Sequence, residues 1–395
     1  MVLLGITGGI AAYKAIELAR LFIRNGYQVQ VVMTPAATRF VTPLTLKTLT
    51  RRPVLIDLFA GDRPDRVEHV DLASRAAVMV VAPASANTLG KFSAGIADNL
   101  LTTMFMALKC PAVIVPSMNE QMYRSPAVRH NLQLLRYRGY HLMEPDSGEL
   151  ACGTIGQGRM PEPADIYNFT RYIISKKDFM GVRVLVTAGP TREPLDPVRY
   201  LSNPSTGLMG YNLARAFAER GAEVSLVSGP SSLTCPRGVE LVPVVTAEQM
   251  YEAVMERYPD CQVVVKAAAV ADFRPLLTEA EKIKKEEAVL TLQLVPNTDI
   301  LKTLGEQKGK RILVGFAAET GQPVEKARLK LARKNLDLIV VNDLTVKGAG
   351  FASATNQVSI IDSSGKVDEL PMMDKQTLAH LILDHIAPLM SVLNH

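Results

Sequence analysis

Three polar positions in the first half of the chain have the chemistry of proton transfer or carboxylate binding. They are His69 in Glu68-His69-Val70-Asp71-Leu72, Asn119 in Pro116-Ser117-Met118-Asn119-Glu120-Gln121-Met122, and Cys152 in Gly148-Glu149-Leu150-Ala151-Cys152-Gly153-Thr154. An imidazole titrates near neutrality, and a side-chain amide can hold a carboxylate. A thiol in a stretch too glycine-rich and polar for a core is a candidate acid or redox partner on a flap. Taken singly, His69 also reads as a solvated surface group ahead of a helix, and Asn119 as a turn residue.

The second half offers cations and small polar residues instead. Glu281-Lys282-Ile283-Lys284-Lys285-Glu286-Glu287 is the most charged stretch, and Lys330 and Lys334 share one helix face ahead of Asn335-Leu336-Asp337. By default such a run is a solvated flap, yet it could also close over a triphosphate and neutralise a departing pyrophosphate. Ser202-Asn203-Pro204-Ser205-Thr206-Gly207 supplies amides and hydroxyls ahead of a helix that begins near Met209. Ala267-Ala268-Ala269-Val270-Ala271-Asp272 suits a base or ribose packed close to backbone, with a turn aspartate as the alternative. Phe316, in Gly315-Phe316-Ala317-Ala318-Glu319-Thr320, alone reads as core.

The elements that must position these residues form two similar series. Short apolar runs at residues 2–6, 29–33, 78–82 and 112–115 are separated by helix-length segments such as 11–25, and runs at 182–186, 224–227, 263–265, 312–316 and 338–341 repeat the scheme. Runs apolar on both faces and alternating with helices predict buried, mostly parallel sheets with helices on both sides, that is, two Rossmann-like or flavodoxin-like α/β domains. The second series closes with a hairpin, 357–362 through Ser363-Ser364-Gly365 and on from Lys366, and a helix from Lys375 to about Leu389. An apparent helix over 164–174 ends before a new strand begins, which places the domains at 1–178 and 179–395.

In such sheets ligands bind beyond the carboxyl ends of the strands. Thr7-Gly8-Gly9-Ile10 follows the first strand of the first half, and Thr187-Ala188-Gly189-Pro190 that of the second. Neither has the spaced glycines of a dinucleotide site nor the Gly-Lys-Ser/Thr ending of a P-loop, and Val31-Val32-Met33-Thr34 ends without an acid for a ribose diol. A mononucleotide fits better than NAD, and a tight turn without ligand fits the glycines alone equally well. Ala82-Pro83-Ala84-Ser85-Ala86-Asn87-Thr88 suits a flat polar ring beside a phosphate or an ordinary helix cap. The segment from Thr187 through Arg199 is too rich in proline and charge for a helix and reads as a rigid binding loop.

With 395 residues, 48% hydrophobic and 21% charged, the chain is ordinary globular material for about two domains. A net charge of +5 with no basic stripe argues against nucleic acid, and no apolar run approaches a membrane span. Four scattered cysteines indicate neither a disulfide framework nor a zinc site, so a cytosolic protein is expected.

Together Gly5-Ile6-Thr7-Gly8-Gly9-Ile10-Ala11-Ala12-Tyr13-Lys14, His69-Val70-Asp71-Leu72, the 116–122 motif and Ala151-Cys152-Gly153 resemble the phosphopantothenoylcysteine decarboxylase family of homo-oligomeric flavoproteins. The resemblance implies FMN as cofactor, proton transfer at His69, a grip on the departing carboxylate by Asn119, and protonation of the enethiol by Cys152. Gly8, Gly9, Thr34, Ser85 and Asn87 become the candidates for holding FMN.

Residues 182–390 resemble the phosphopantothenate–cysteine ligase family. That resemblance implies that Asn203 contacts an acyl phosphate, and that Ala267, Ala268, Asp272, Asn297, Thr298 and Phe316 help hold the nucleotide. Lys282, Lys330 and Lys334 would meet its phosphates, with Lys282 foremost in the chemistry. Mg²⁺ is expected with ligands unassigned, CTP rather than ATP follows from the fusion, and assembly as a homo-oligomer is expected through both halves. The chain departs from the family's usual Ser-Ser-Gly-Lys-Met-Gly at Ser205-Thr206-Gly207-Leu208-Met209-Gly210, where Leu208 replaces a cation. The expected activity is ligation of cysteine to 4′-phosphopantothenate, then decarboxylation to 4′-phosphopantetheine. The rivals are a flavoprotein acting on another thiol and a regulatory flavoprotein without turnover, and the presence of His69, Asn119 and Cys152 argues against the latter.

Overall fold

The computed structural model describes residues 1–58, 68–149, 153, 155–284, 290–319, 321, 323–343, 353 and 355–393, with the backbone alone at 68, 69, 319, 343, 392 and 393. Its contacts divide the chain into two units, Met1–Ser175 and Lys176–His395.

The strands of the first unit are β1 (Val2–Ile6), β2 (Val29–Met33), β3 (Val78–Ala84), β4 (Ala112–Pro116), β5 (His141–Leu142), β6 (Asp146–Glu149) and β7 (Ile155–Arg159). Its helices are α1 (Lys14–Arg24), α2 (Pro43–Thr50), α3 (Glu68–Arg75), α4 (Ala86–Ala94), α5 (Leu100–Met106), α6 (Glu120–Arg124), α7 (Pro126–Tyr137) and α8 (Pro163–Ile174). Five strands form a parallel sheet in the order β2-β1-β3-β4-β5. The apolar runs are continuous because both faces are covered. Val2, Leu4 and Ile6 join the core beneath α1 and α8, and Leu3 joins a second core on the opposite face. The order reverses between β1 and β3, which opens a crevice at their carboxyl ends.

Three features differ from the expectations for this unit. The helix after β1 begins as a 3-10 turn, Ile10–Tyr13, before α1. His69 falls in the first turn of α3 rather than ahead of it. The glycine-rich segment expected as a flap has arms, β6 and β7, that pair antiparallel where no strands were expected.

The second unit contains β8 (Arg183–Ala188), β9 (Arg192–Pro194), β10 (Tyr200–Ser202), β11 (Glu223–Ser228), β12 (Val239–Pro243), β13 (Val263–Lys266), β14 (Phe273–Pro275), β15 (Leu294–Pro296), β16 (Ile312–Glu319), β17 (Leu338–Asp343), β18 (Thr355–Asp362) and β19 (Val367–Asp374). Its helices are α9 (Leu208–Glu219), α10 (Ala247–Arg257), α11 (Ile300–Glu306), α12 (Pro323–Arg333), α13 (Lys375–Ile386) and α14 (Met390–Leu393). Eight strands lie in the order β12-β11-β8-β13-β16-β17-β18-β19, parallel as far as β17 and antiparallel in the closing hairpin. The order reverses between β8 and β13. There α9 lies tight on β8: a Cβ on Gly210 would stand 2.9 Å from the Thr187 carbonyl oxygen.

The segment after β8 is not wholly irregular, because β9 and β10 within it form an antiparallel pair braced by Arg192 over the Tyr200 ring. β12 had no sequence expectation: it is an edge strand with exposed Glu240 and Leu241, so it lacks a buried apolar run. Among the described residues no helix is long and apolar enough to cross a membrane.

Candidate active sites

In the first unit the crevice between β1 and β3 is tied at its base by one buried threonine. The Thr7 hydroxyl donates to the Pro83 carbonyl at 2.8 Å and accepts the Ser85 N–H at 2.9 Å. Gly8 lies against the next loop, where a Cβ would come within 2.7 Å of Ala36 Cβ, whereas a Cβ on Gly9 would meet nothing within 4 Å. Above them lies a cavity of about 540 Å³ lined by Gly8, Gly9, Lys14, Ser85, Asn119 and Arg159 together with apolar Ile10, Met118 and Met122. Its size and its mix of apolar walls with a few polar groups suit an organic cofactor.

Of the residues expected there, Gly8, Gly9, Ser85 and Asn119 are brought together. Ser85 is the N-cap of α4, its Oγ accepting the Thr88 N–H. Asn119 caps the short α6 through Oδ1, which accepts the Gln121 N–H at 2.8 Å, so its amide plane is set by the backbone. Thr34 and Asn87 stand outside this lining. Thr34 follows β2 with its N–H on the Ile6 carbonyl and its hydroxyl accepting from Ala37, and Asn87 is an exposed residue of the first turn of α4. Cys152 and the side chain of His69 lie outside the described residues.

The β6–β7 hairpin forms one wall of the cavity. The Met118 N–H donates to the Gly158 carbonyl at 3.1 Å, and the Ser117 hydroxyl reaches the same oxygen at 3.4 Å. Sequence reading missed Lys14, which is buried although it sits beside the cavity. Its ammonium donates to the Met160 carbonyl at 3.0 Å and to Glu162 Oε1 at 2.9 Å. The hydrogen bond from Lys14 holds the Glu162 carboxyl below the usual range against its slight desolvation, and the Lys14 and Arg159 charges add to this. A cation in α1 thus pins the chain just beyond the hairpin.

In the second unit two buried threonines shape the crevice. Thr187 Oγ1 accepts the Ala268 N–H and Thr191 Oγ1 the Ala271 N–H, while Ala269 donates to the Gly189 carbonyl. The backbone of 267–271 is thereby laid across the end of β8. Asn203 joins it, its amide donating to the carbonyls of Ala269 and Val270, both at 3.1 Å. Asn297 bonds to the Ala271 carbonyl at 2.9 Å and accepts from Arg274, and its N–H meets the Asp272 carbonyl. Ala267 and Phe316 pack on one core of this unit and Ala268 on the other, while Asp272 and Thr298 are exposed.

Lys334 pairs with Asp299 at 2.7 Å. Although partial burial opposes ionisation, the Lys334 ammonium and the Lys302 N–H hold the Asp299 carboxyl below its ordinary range. Lys334 is fixed by its backbone as well. Its carbonyl lies so close to Gly305 that any side chain there would overlap it, and Asn335 takes a left-handed conformation with its amide on the Gly305 carbonyl.

Lys282 is exposed and lines a different cavity, of about 630 Å³, with Leu195, Leu276, Leu277 and Leu290; Lys330 and Lys334 are not among its lining residues. Its segment is anchored by a residue that the sequence did not single out. The buried Asp196 carboxylate accepts the N–H groups of Val198 and Arg199 at 2.7 Å and of Ile283 at 3.2 Å, and Arg199 spans back to the Ile283 carbonyl. Burial opposes ionisation of Asp196, yet these N–H donors hold its carboxyl below the usual range. Asp196→Ala is therefore expected to release the Lys282 segment and lower about 10-fold the kcat of the ligation expected of the second unit, leaving the decarboxylation expected of the first unchanged. Separate assays of the two half-reactions check this, and equal losses in both would contradict it.

Residues 1–175 match the family described as Flavoprotein, and residues 179–390 the family described as DNA/pantothenate metabolism flavoprotein C-terminal domain. The Coenzyme A biosynthesis bifunctional protein CoaBC of Bacillus subtilis (strain 168) is 47% identical over 392 residues, 98% of this chain and 97% of that protein. Its namesake from Escherichia coli (strain K12) is 43% identical over 391 residues, 98% of this chain and 96% of that protein. A Cysteine/Cysteine sulfinic acid decarboxylase from an unknown prokaryotic organism is 44% identical over 356 residues, 88% of this chain and 99% of its own. With both halves matched in order and nearly the whole length aligned, the chain belongs to the family of coenzyme A biosynthesis bifunctional proteins.

Proposed function

We propose that the second unit couples cysteine to 4′-phosphopantothenate at the expense of CTP, through an acyl-cytidylate, and that the first decarboxylates the product to 4′-phosphopantetheine. The observation that supports this most is that each unit brings part of its motif to the reversal of its own strand order, Gly8, Gly9, Ser85 and Asn119 in the first and Asn203, Ala268 and Asn297 in the second.

In the first unit Gly8, Gly9 and Ser85 would hold FMN, with Gly9 leaving room for close approach of a phosphate to backbone. FMN, when bound, supplies the two-electron oxidation of the substrate's thiol-bearing carbon and the later return of those electrons. Thr34 and Asn87 would contribute from outside the cavity lining. Asn119 would hold the substrate carboxylate through its amide N–H groups, His69 would move a proton at the thiol, and Cys152 would protonate the enethiol after CO₂ leaves. Cys152→Ser is expected to release CO₂ once per bound FMN in a single turnover, leaving the flavin reduced and the unsaturated thiol in place, while steady-state phosphopantetheine formation falls about 10²-fold. Loss of CO₂ release from a folded, flavin-loaded variant would contradict that role.

In the second unit Lys282, Lys330 and Lys334 would meet the nucleotide's phosphates, Asn203 the acyl phosphate, and Ala267, Ala268, Asp272, Asn297, Thr298 and Phe316 the nucleoside. Mg²⁺ would be carried largely by the triphosphate; among the described residues no three His, Cys, Asp or Glu side chains are grouped to hold a metal. Assembly through both halves is supported by exposed Phe273, Leu276, Leu277, Leu290 and Leu294 on and beside the β14–β15 arm, and by exposed Ile10, Tyr13 and Met122 at the first cavity.

A second reading, decarboxylation of free cysteine, is raised by the cysteine decarboxylase relative. Supplying phosphopantothenoylcysteine and cysteine in parallel to the flavin-loaded chain separates the two. Release of CO₂ from the phosphorylated amide is expected, and release from cysteine alone would overturn the proposal.

A further inference from the structure

Lys266 ends β13 and is flanked in register by Thr187 of β8 and Gly315 of β16, so it stands at the reversal of strand order. The three residues before it, Val263, Val264 and Val265, are fully buried, whereas Lys266 is half-buried. Among the described residues its ammonium makes no hydrogen bond and no ion pair. The charged groups that bear on it are Lys330 of α12, Lys334 in the turn that follows, Asp299 at the N-cap of α11, and Asp272 beyond β13. Its strand neighbours, Thr187 and Gly315, are uncharged. Asp299 is already bound to Lys334. A partly desolvated cation in the field of two others, with Asp299 already held by Lys334, is an arrangement that an arriving anion relieves.

We infer that Lys266 is a further cation of the ligase's triphosphate site, acting with Lys330 and Lys334 on the phosphates of CTP. This rests on the ligase reading of the second unit and adds a residue to it. Desolvation first, then the Lys334 and Lys330 charges, push the Lys266 ammonium down to about 8. Below that pH it is charged and above it neutral. A polyanion that restores the charge must therefore take up a proton near and above pH 8, and affinity must fall as pH rises through 8.

The test is calorimetric titration of the full-length, FMN-loaded chain with CTP and Mg²⁺ at pH 8.5, in buffers of different ionisation enthalpy. The native chain should take up about 0.8 proton per CTP, the share of a group with a pKa of about 8 that is neutral at that pH. Lys266→Met should remove this uptake and weaken CTP about 10-fold at pH 7, while still releasing CO₂ from supplied phosphopantothenoylcysteine. Lys266→Arg, which stays charged, should keep the affinity without the uptake, and it carries the test if the methionine variant misfolds. Inorganic tripolyphosphate should reproduce the uptake, and cytidine and 4′-phosphopantothenate should not. Uptake that persists in both variants, or that appears with phosphopantothenate alone, overturns the assignment. Failure of the native chain to bind CTP at all overturns the ligase reading instead.

Discussion

Lys282→Ala is expected to lower CTP-dependent acyl-cytidylate formation by about 10³-fold and to leave decarboxylation of supplied phosphopantothenoylcysteine at its native rate. Attack of a carboxylate on the nucleotide expels pyrophosphate, and a cation that meets this charge as it develops is worth more in the transition state than in the ground state. The loss should therefore appear in kcat more than in the KM for CTP. The surroundings of Lys282 are consistent with such a role. The side chain is exposed, while its segment is fixed through Ile283 to the buried Asp196 carboxylate. A positioned backbone carrying a mobile ammonium can close on a leaving group without rearranging the sheet. Pre-steady-state measurement of pyrophosphate release checks the step. An unchanged burst, or parallel loss of both activities in a folded variant, would show that Lys282 does not act there.

Gly158→Ala should weaken cofactor binding at the first site by geometry alone. Gly158 lies at φ +155°, and a Cβ there would overlap the Met118 carbonyl. The same glycine carries the carbonyl that accepts from Met118 N–H and the Ser117 hydroxyl, so relief of the overlap pulls the hairpin from the opposite wall of the cavity. Overpacking of this kind costs about 1–3 kcal/mol, which predicts FMN binding weakened by about 10- to 100-fold with the fold retained. Gly90→Ala is the internal control. Gly90 lies within α4 and a Cβ there meets only Asn131 Nδ2 at 3.7 Å, so this change should stabilise the unit by about 0.5–1 kcal/mol. Flavin fluorescence titration and thermal melts read both. Equal FMN affinity in Gly158→Ala and the native chain would mean that the hairpin is not a wall of the site.

The sheets were legible because β1 is a short apolar run, and β2 and β13 are apolar apart from Gln30 and the terminal Lys266, and such runs buried on both faces leave few alternatives. The closing hairpin was legible for a local reason: Asp362 Oδ1 accepts the N–H groups of Ser364 and Lys366, a turn written within five residues. The β6–β7 pairing was not, since Ile155–Arg159 is glycine-rich without apolar alternation, and its place is set by Met118, far away in sequence.

The sites divide in the same way. Gly8, Gly9, Ser85 and Asn119 sit just beyond strands, where topology alone directs attention. Asp196 and Lys14 were invisible because their partners, Ile283 and the Met160–Glu162 segment, lie far along the chain. Lys266 falls between the 263–265 run and the 267–272 motif and was not singled out, because its isolation depends on what stands opposite it.

The central claim, that one chain carries both steps, is tested most directly by incubating the FMN-loaded protein with 4′-phosphopantothenate, cysteine, CTP and Mg²⁺ and resolving the products by mass. The account predicts CMP, pyrophosphate, CO₂ and 4′-phosphopantetheine in equal amounts, all dependent on CTP. A mixture in which no product depends on CTP, or in which phosphopantothenoylcysteine accumulates without loss of CO₂, would contradict it.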